Sequence, residues 1–371
     1  MYYNVEPVFV LFPILCLLVH FTKLREKKEI CYLLIVLFIL LYSFSLNGSD
    51  FEGYYAHYRM VEGGASPAEN DQEIGFYYLM KGAVSLGLDY LTFRIIFLSF
   101  LSFVLFYSIR KFSNDFALSL FFISSMFVIY TISAYRQFIV IAFSLYWIYV
   151  YCHGKEKIAL LGVASLLLFH MTAILPLGCM IFDSLRGEKK ADRSSDTFSR
   201  YFFIVLVLAL TVRVVAFVLL KTSAVNAILD RLIGKHASAD PTIFSFGLLS
   251  RLIFLTVISL FYRLSNTGDR SVKFLYWYYF VSIMIYIAIP LEFFMGRLMN
   301  NASILSAVLV PMLMKTDVLP FLPVKIKYKD PFRRVFLFVL EVTALAVLIN
   351  QLLKQDGYTP YLNILLGDKP V

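Results

Sequence analysis

The chain has 371 residues, of which 60% are hydrophobic and 16% are charged, and its formal net charge is +9. The mean hydropathy is +0.76, and runs of about 17–20 apolar residues recur along the chain, a pattern typical of membrane-spanning helices and not of a soluble domain. The sequence lacks the alternating pattern of a porin-like barrel. It therefore predicts an all-α, polytopic integral membrane protein that forms a single transmembrane domain over residues 1–371.

Apolar runs in chain order predict about ten full spans. The first run has neither a basic leader nor a small-residue cleavage site, so we expect a retained helix and not a signal peptide. The predicted spans cover residues 5–21, 30–46, 91–109, 116–133, 137–151, 201–220, 246–263, 272–289, 297–314 and 333–352.

Two further apolar segments do not fit the pattern of a simple span. Residues 73–88 are short and carry Lys81, which suits an external helix lying at the membrane interface. Residues 157–182 could form one long span or two half-helices that break near His170. Each half would have about 13 residues and a length of ~20 Å, too short to cross the bilayer.

The distribution of lysine and arginine favours the half-helix interpretation. Basic residues concentrate in a few connecting segments, which the positive-inside rule assigns to the cytoplasm. All of these segments face inward only if 157–182 is a re-entrant hairpin, and both chain termini are then external. The segments are 22–29, 110–115, 152–157, 183–200, 263–273 and 315–334. Their charge is explained by topology, so no nucleic acid partner is expected.

With this topology, polar residues collect at the external ends of the helices. They are Asp50, Glu73, Arg136, Gln137, His170, Glu292 and Arg297. Arg136, His170 and Arg297 each stand at a predicted helix N-terminus, where free N–H groups and partial positive charge favour phosphate. Arginine adds a planar fork that matches phosphate oxygens. We therefore predict that Arg136, Gln137 and Arg297 bind the diphosphate of a lipid-linked donor.

Simpler interpretations of these residues remain open. The two arginines could be interfacial anchors, His170 a buried hydrogen-bonding residue, and Glu73 a helix cap. The external tyrosines Tyr54, Tyr55, Tyr58 and Tyr77 could form an aromatic belt, or could stack on sugar rings together with Glu292 as a glycan-binding set.

A transfer from such a donor to an acceptor hydroxyl needs a base that takes the hydroxyl proton. We predict this base among His170, Glu73 and Asp50. Histidine has an ordinary pKa of about 6.5, the nearest to neutrality, whereas a carboxylate would need burial to raise its own. His170 could instead donate to a phosphate oxygen. No metal-ligand spacing appears on the external side, so a reaction without a metal or other cofactor is expected.

The order of motifs resembles the EpsG-like branch of Wzy-type polysaccharide polymerases. The motifs are SDFEGYYAHY, EIGFYYLMKGAVSLGL, AYRQFIVIAFSLYW, LLLFHMTAILPL, MGRLMNN and YTPYLNIL, and they run through nearly the whole chain. The resemblance implies a glycosyltransferase-C-like membrane enzyme that joins oligosaccharide repeat units carried on undecaprenyl diphosphate.

The resemblance also implies a location and partners. The enzyme would act on the outer face of a bacterial inner membrane, in O-antigen or capsule synthesis, with a flippase and a chain-length regulator as possible partners. Two alternatives remain open: a lipid-linked oligosaccharide flippase or other transporter, and an O-antigen ligase. The clustering of polar residues at one face favours chemistry there over transport.

Overall fold

The computed structural model describes residues 7–45, 50–70, 72–113, 115–126, 134–186, 201–221, 243–265, 268–291, 301–315 and 329–354. Within these ranges every regular element is helical, which confirms the predicted all-α class for this part of the chain. The α-helices are α1 (Pro7–His20), α2 (Lys28–Phe38), α3 (Phe51–Glu62), α4 (Pro67–Asn70), α5 (Ile74–Ser85), α6 (Tyr90–Phe112), α7 (Phe116–Met126), α8 (Tyr135–Cys152), α9 (Glu156–Ser165), α10 (Ile174–Arg186), α11 (Phe202–Leu220), α12 (Phe246–Ser265), α13 (Arg270–Ala288), α14 (Ser306–Lys315) and α15 (Lys329–Lys354).

Five of the described helices are long and apolar enough to cross a membrane. They are Tyr90–Phe112, Phe202–Leu220, Phe246–Arg263, Arg270–Ala288 and Arg334–Gln351. Other apolar helices, such as Phe9–His20 and Phe116–Met126, are shorter within the described residues. The chain is therefore a membrane protein with several apolar helices, while the count of about ten spans and the glycosyltransferase-C-like arrangement stay predictions.

Helix α6 shows why these runs fold as predicted. Its N-cap is Asp89, whose carboxylate accepts a hydrogen bond of 2.7 Å from the backbone N–H of Thr92. Its last turn carries Arg110 and Lys111. The acidic cap and the basic last turn both complement the helix dipole. The apolar run between them is long enough to span a membrane.

The chain forms two compact units. The first comprises Met1–Leu177 and Leu345–Val371, and the second comprises Gly178–Ala344. The prediction of a single transmembrane domain is not tested by this division. In the first unit α6 packs on α8, α1 on α7, and α9 on α8, which places the start of α8 inside a bundle of helices.

The described residues between 50 and 88 form helices α3, α4 and α5, which pack on one another in the first unit. The structure confirms a helix in the predicted segment 73–88, where α5 lies. It also adds α3, which the sequence did not predict. Helix α3 buries Tyr54, Tyr58 and Val61 along one face and packs against α5.

The helix of residues 157–182 is interrupted at the predicted residue. Helix α9 ends at Ser165 and is followed by the 3₁₀ turn Leu166–Leu168. His170 then has an extended backbone (φ −167°, ψ 137°), and α10 begins at Ile174 after a second 3₁₀ turn. A single continuous helix is excluded, and the return of both halves to the same side stays a prediction.

In the second unit, a buried arginine fixes the end of α13. Arg213 of α11 is almost fully buried. Its guanidinium donates to the backbone carbonyls of Tyr286, Ile287 and Ile289 at 3.2–3.4 Å. Cations stabilise the exposed carbonyls at a helix C-terminus, so Arg213 caps α13 just before the segment that carries Glu292 and Arg297.

Candidate active site at two helix N-termini

The centre of the site is an ion pair between Arg136 and Glu73. Arg136 is the second residue of α8, and Glu73 occupies the N-cap position of α5. Arg136 Nη1 donates to Glu73 Oε2, and each side chain is 28% exposed. The Glu73 side chain makes no capping hydrogen bond with its own helix. Its carboxylate is instead paired with Arg136, so this ion pair joins the first turns of two helices.

Tyr54 lies beside this ion pair. The guanidinium carbon of Arg136 is 5.9 Å from the centre of the Tyr54 ring. Tyr54 also stacks on Tyr135, with ring centres 4.3 Å apart and planes at 15°. Burial raises the pKa of Tyr54, and Arg136 opposes that shift only in part. The hydroxyl of Tyr54 is therefore protonated at neutral pH and can donate a hydrogen bond.

Asp50 and Gln137 lie next to these residues. The backbone carbonyl of Asp50 accepts a hydrogen bond of 3.0 Å from the Tyr54 N–H, so Asp50 lies one helical turn before Tyr54. Asp50 occupies the N-cap position of α3, yet its side chain makes no capping hydrogen bond there. Gln137 follows Arg136 in α8 and is buried. The structure thus pairs Glu73 with Arg136, while Asp50 and Gln137 are neighbours of Tyr54 and Arg136 along their own helices. A shared external face for the four residues stays a prediction.

His170 lies on the turn that packs against α5. A Cβ atom added to Gly75 would lie 2.7 Å from the carbonyl oxygen of Leu168 and 3.0 Å from the ring of Phe169. Only glycine permits this approach, which holds the turn against the first residues of α5, close to Glu73 in the chain. His170 Nδ1 accepts a hydrogen bond of 3.2 Å from the Thr172 backbone N–H and lies 2.9 Å from the Thr172 hydroxyl.

The four candidate glycan-binding tyrosines differ in exposure. Tyr54, Tyr58 and Tyr77 are buried, and the hydroxyls of the last two donate to backbone carbonyls at 2.7 and 2.8 Å. Tyr55 is 47% exposed and packs obliquely on Tyr90. A sugar ring can stack directly only on an exposed face. Tyr55 is therefore the member of the set that best fits sugar stacking, and the assignment as a whole stays a prediction.

Two predicted site residues, Glu292 and Arg297, lie outside the described residues. Their placement in the site stays a prediction. Among the residues that the structure does describe, no group of three or more histidine, cysteine or acidic side chains is arranged to hold a metal ion. The expectation of a metal-free reaction likewise stays a prediction.

Sequence reasoning missed Arg94 and Tyr135. Arg94 is the sole charged residue of α6 before its last turn, and Tyr135 immediately precedes Arg136. Arg94 Nε donates to the Tyr135 hydroxyl, so both belong to the same cluster. A permanent charge inside an otherwise apolar run was the signal that could have found Arg94.

The chain was compared with models of known protein families. The model of the EpsG family matches residues 28–363, which is most of the chain. The chain belongs to the EpsG family. The matched range of this EpsG-family protein includes every predicted site residue, from Asp50 to Arg297. No curated protein and no solved structure matches the chain.

Proposed function

We propose that this EpsG-family protein is a membrane glycosyltransferase that polymerises oligosaccharide repeat units carried on undecaprenyl diphosphate. Family membership supports a polysaccharide-polymerase-like function, and the apolar helices support work on a lipid-borne substrate. The reaction would take place on the outer face of the inner membrane, with both chain termini on that side, as the distribution of basic residues favours.

The observation that carries the proposal is the Arg136–Glu73 pair at the meeting point of α5 and α8. An arginine at a helix N-terminus offers an anion both a charged fork and free backbone N–H groups. A carboxylate paired with that arginine becomes available when an anion displaces it. One ion pair therefore supplies a diphosphate ligand and a base within a few ångströms of each other.

The proposed transfer step uses both members of this pair. Arg136 binds the diphosphate of the donor and stabilises the negative charge that grows as the bond from the anomeric carbon to the phosphate oxygen breaks. The acceptor hydroxyl oxygen forms the new glycosidic bond, and Glu73 takes the hydroxyl proton. The products are the elongated glycan on the acceptor lipid and undecaprenyl diphosphate.

The geometry of His170 supports a role at the phosphate. Because Nδ1 accepts from the Thr172 N–H, the neutral imidazole carries its proton on Nε2 and donates there. A ring in this tautomer suits a phosphate oxygen better than a hydroxyl that must lose a proton. We therefore assign the base to Glu73 and the donor-side hydrogen bond to His170, with Asp50, one helical turn before Tyr54, as the second candidate carboxylate.

Deletion of the gene followed by electrophoresis of the envelope glycan tests the reaction class. A polymerase mutant keeps single repeat units on the acceptor and loses the ladder of longer chains. Loss of both would instead indicate a flippase. Accumulation of long chains on the lipid carrier, with none on lipid A core, would indicate an O-antigen ligase. Either of these last two results would overturn the proposal.

A further inference from the structure

Arg94 is a buried cation that takes no part in the proposed reaction. Its side chain has no exposed surface. Within the part of the chain that the structure describes, no carboxylate forms an ion pair with it, and its Nη2 atom has no hydrogen-bond partner. A buried and unpaired charge is costly, and an apolar side chain of similar size would avoid that cost. Its presence therefore calls for a function.

The contacts of Arg94 point toward the candidate site. Its Nε donates to the hydroxyl of Tyr135, and its Nη1 donates to the carbonyl of Ser43 at 3.1 Å. The guanidinium carbon lies 5.5 Å from the ring centres of both Phe51 and Tyr135. Ser43 ends a short π-helical segment, Ile39–Ser43, that follows α2. Arg94 thus links this segment, the start of α3 and the start of α8.

Tyr135 transmits this anchoring to Arg136 by two routes. It precedes Arg136 in the first turn of α8, so fixing its hydroxyl fixes the backbone from which Arg136 projects. Its ring also stacks on Tyr54, the ring over which the Arg136 guanidinium lies. These contacts form a continuous path from Arg94 through Tyr135 and Tyr54 to the ion pair of Arg136 with Glu73.

We propose that Arg94 is a positioning residue that orients the Arg136 guanidinium through Tyr135. Preorganised donors are more effective than mobile ones because their orientation has no further entropic cost at the moment of binding. The effect of Arg94 on diphosphate binding rests on the proposed function. Its effect on the orientation of Arg136 does not, so the two can be tested separately.

The first experiment measures the orientation of Arg136 without any substrate. Purified full-length protein in lipid nanodiscs is treated with phenylglyoxal, and the modification rate of each arginine is followed by peptide mass spectrometry. The variants are Arg94→Met, which removes the buried charge at similar volume, and Tyr135→Phe, which removes only the hydroxyl and keeps the ring stack. Arg59, an exposed arginine paired with Glu62 in α3, is the internal control.

We expect each single variant to raise the Arg136 rate by at least about threefold, because Arg136 is released from its ordered position, and to leave the Arg59 rate unchanged. The double variant should rise no further than the larger single effect, since both changes break one path. An unchanged Arg136 rate in folded Tyr135→Phe protein would overturn the proposal. Independent, multiplying effects of the two changes would overturn it as well.

The second experiment measures binding of farnesyl diphosphate, a short polyprenyl diphosphate, to the same proteins. Tyr135→Phe and Arg94→Met should each weaken binding by about tenfold, and should have no further effect when Arg136 is already alanine. Additional weakening in the Arg136→Ala background would contradict the positioning role. If Arg136→Ala alone leaves the Kd unchanged, the proposed diphosphate site fails, while the labelling result still decides the position of Arg136.

Discussion

At the scale of single residues, the sequence predicted candidate site residues but not the contacts between them. Arg136 and Glu73 were both predicted from their places at the ends of apolar runs, a local property. Glu73 contacts Arg136 and does not cap α5. This contact depends on how α5 packs against other helices, and a local sequence pattern carries no information on such packing. Arg94 was missed for the same reason, because its partners lie on other helices.

The division of roles between His170 and Glu73 can be tested with His170→Asn. Asparagine is a good N-cap residue and can keep the bond to the Thr172 N–H, so the turn should persist. The imidazole Nε2 is lost, and we expect KM for the lipid-linked donor to rise by about tenfold as one hydrogen bond to a charged group disappears. Steady-state kinetics of the purified protein check this.

The control for that measurement is Glu73→Gln, which should lower kcat far more than it raises KM, since the amide cannot accept the proton. If His170→Asn lowers kcat and leaves KM unchanged, His170 is the base, and the assignment of that role to Glu73 is wrong.

At the scale of elements, long apolar runs were predicted well and the polar connections poorly. The break near His170 was favoured because only a hairpin places every basic segment on the inner side. Helix α3 was missed because its sequence is rich in acidic and aromatic residues, although Tyr54, Tyr58 and Val61 recur at the spacing of one helical face. The buried side of α3 faces α5, so its stability comes from tertiary packing more than from composition.

The contact between α5 and the His170 turn gives a prediction at this scale. In Gly75→Ala the new methyl group collides with the Leu168 carbonyl, a backbone atom that cannot rotate away. We expect a loss of about 1–3 kcal/mol of stability and a displaced turn. Thermal unfolding of the purified protein and its donor KM report the two effects.

Gly82→Ala is the matched control, because it lies in the same helix with nothing within 4 Å of the added carbon. It should be neutral or stabilising, since alanine favours a helix by about 1 kcal/mol over glycine. Equal behaviour of the two variants would show that the close approach at Gly75 has no structural role.

At the scale of the whole molecule, composition alone predicted a helical membrane protein, and the family match confirms the resemblance to the EpsG family. The predicted catalytic face depends on topology, because only inward placement of the basic segments brings Asp50, Glu73 and Arg136 to the external side. The structure pairs Arg136 with Glu73 and places Asp50 one helical turn before Tyr54, the ring that Arg136 contacts. The external placement of these residues and their role in one site stay predictions.

The most direct test of the central claim is the transfer rate of Arg136→Ala. Lipid-linked repeat units extracted from the deletion strain are supplied to purified protein in nanodiscs, and chain growth is followed on a gel. Loss of a charge-assisted bond to the diphosphate should lower kcat/KM by about 10–150-fold. Arg59→Ala, which removes an exposed arginine from an ion pair within α3, should match the native rate. A native ladder from Arg136→Ala at equal protein amount would contradict the account.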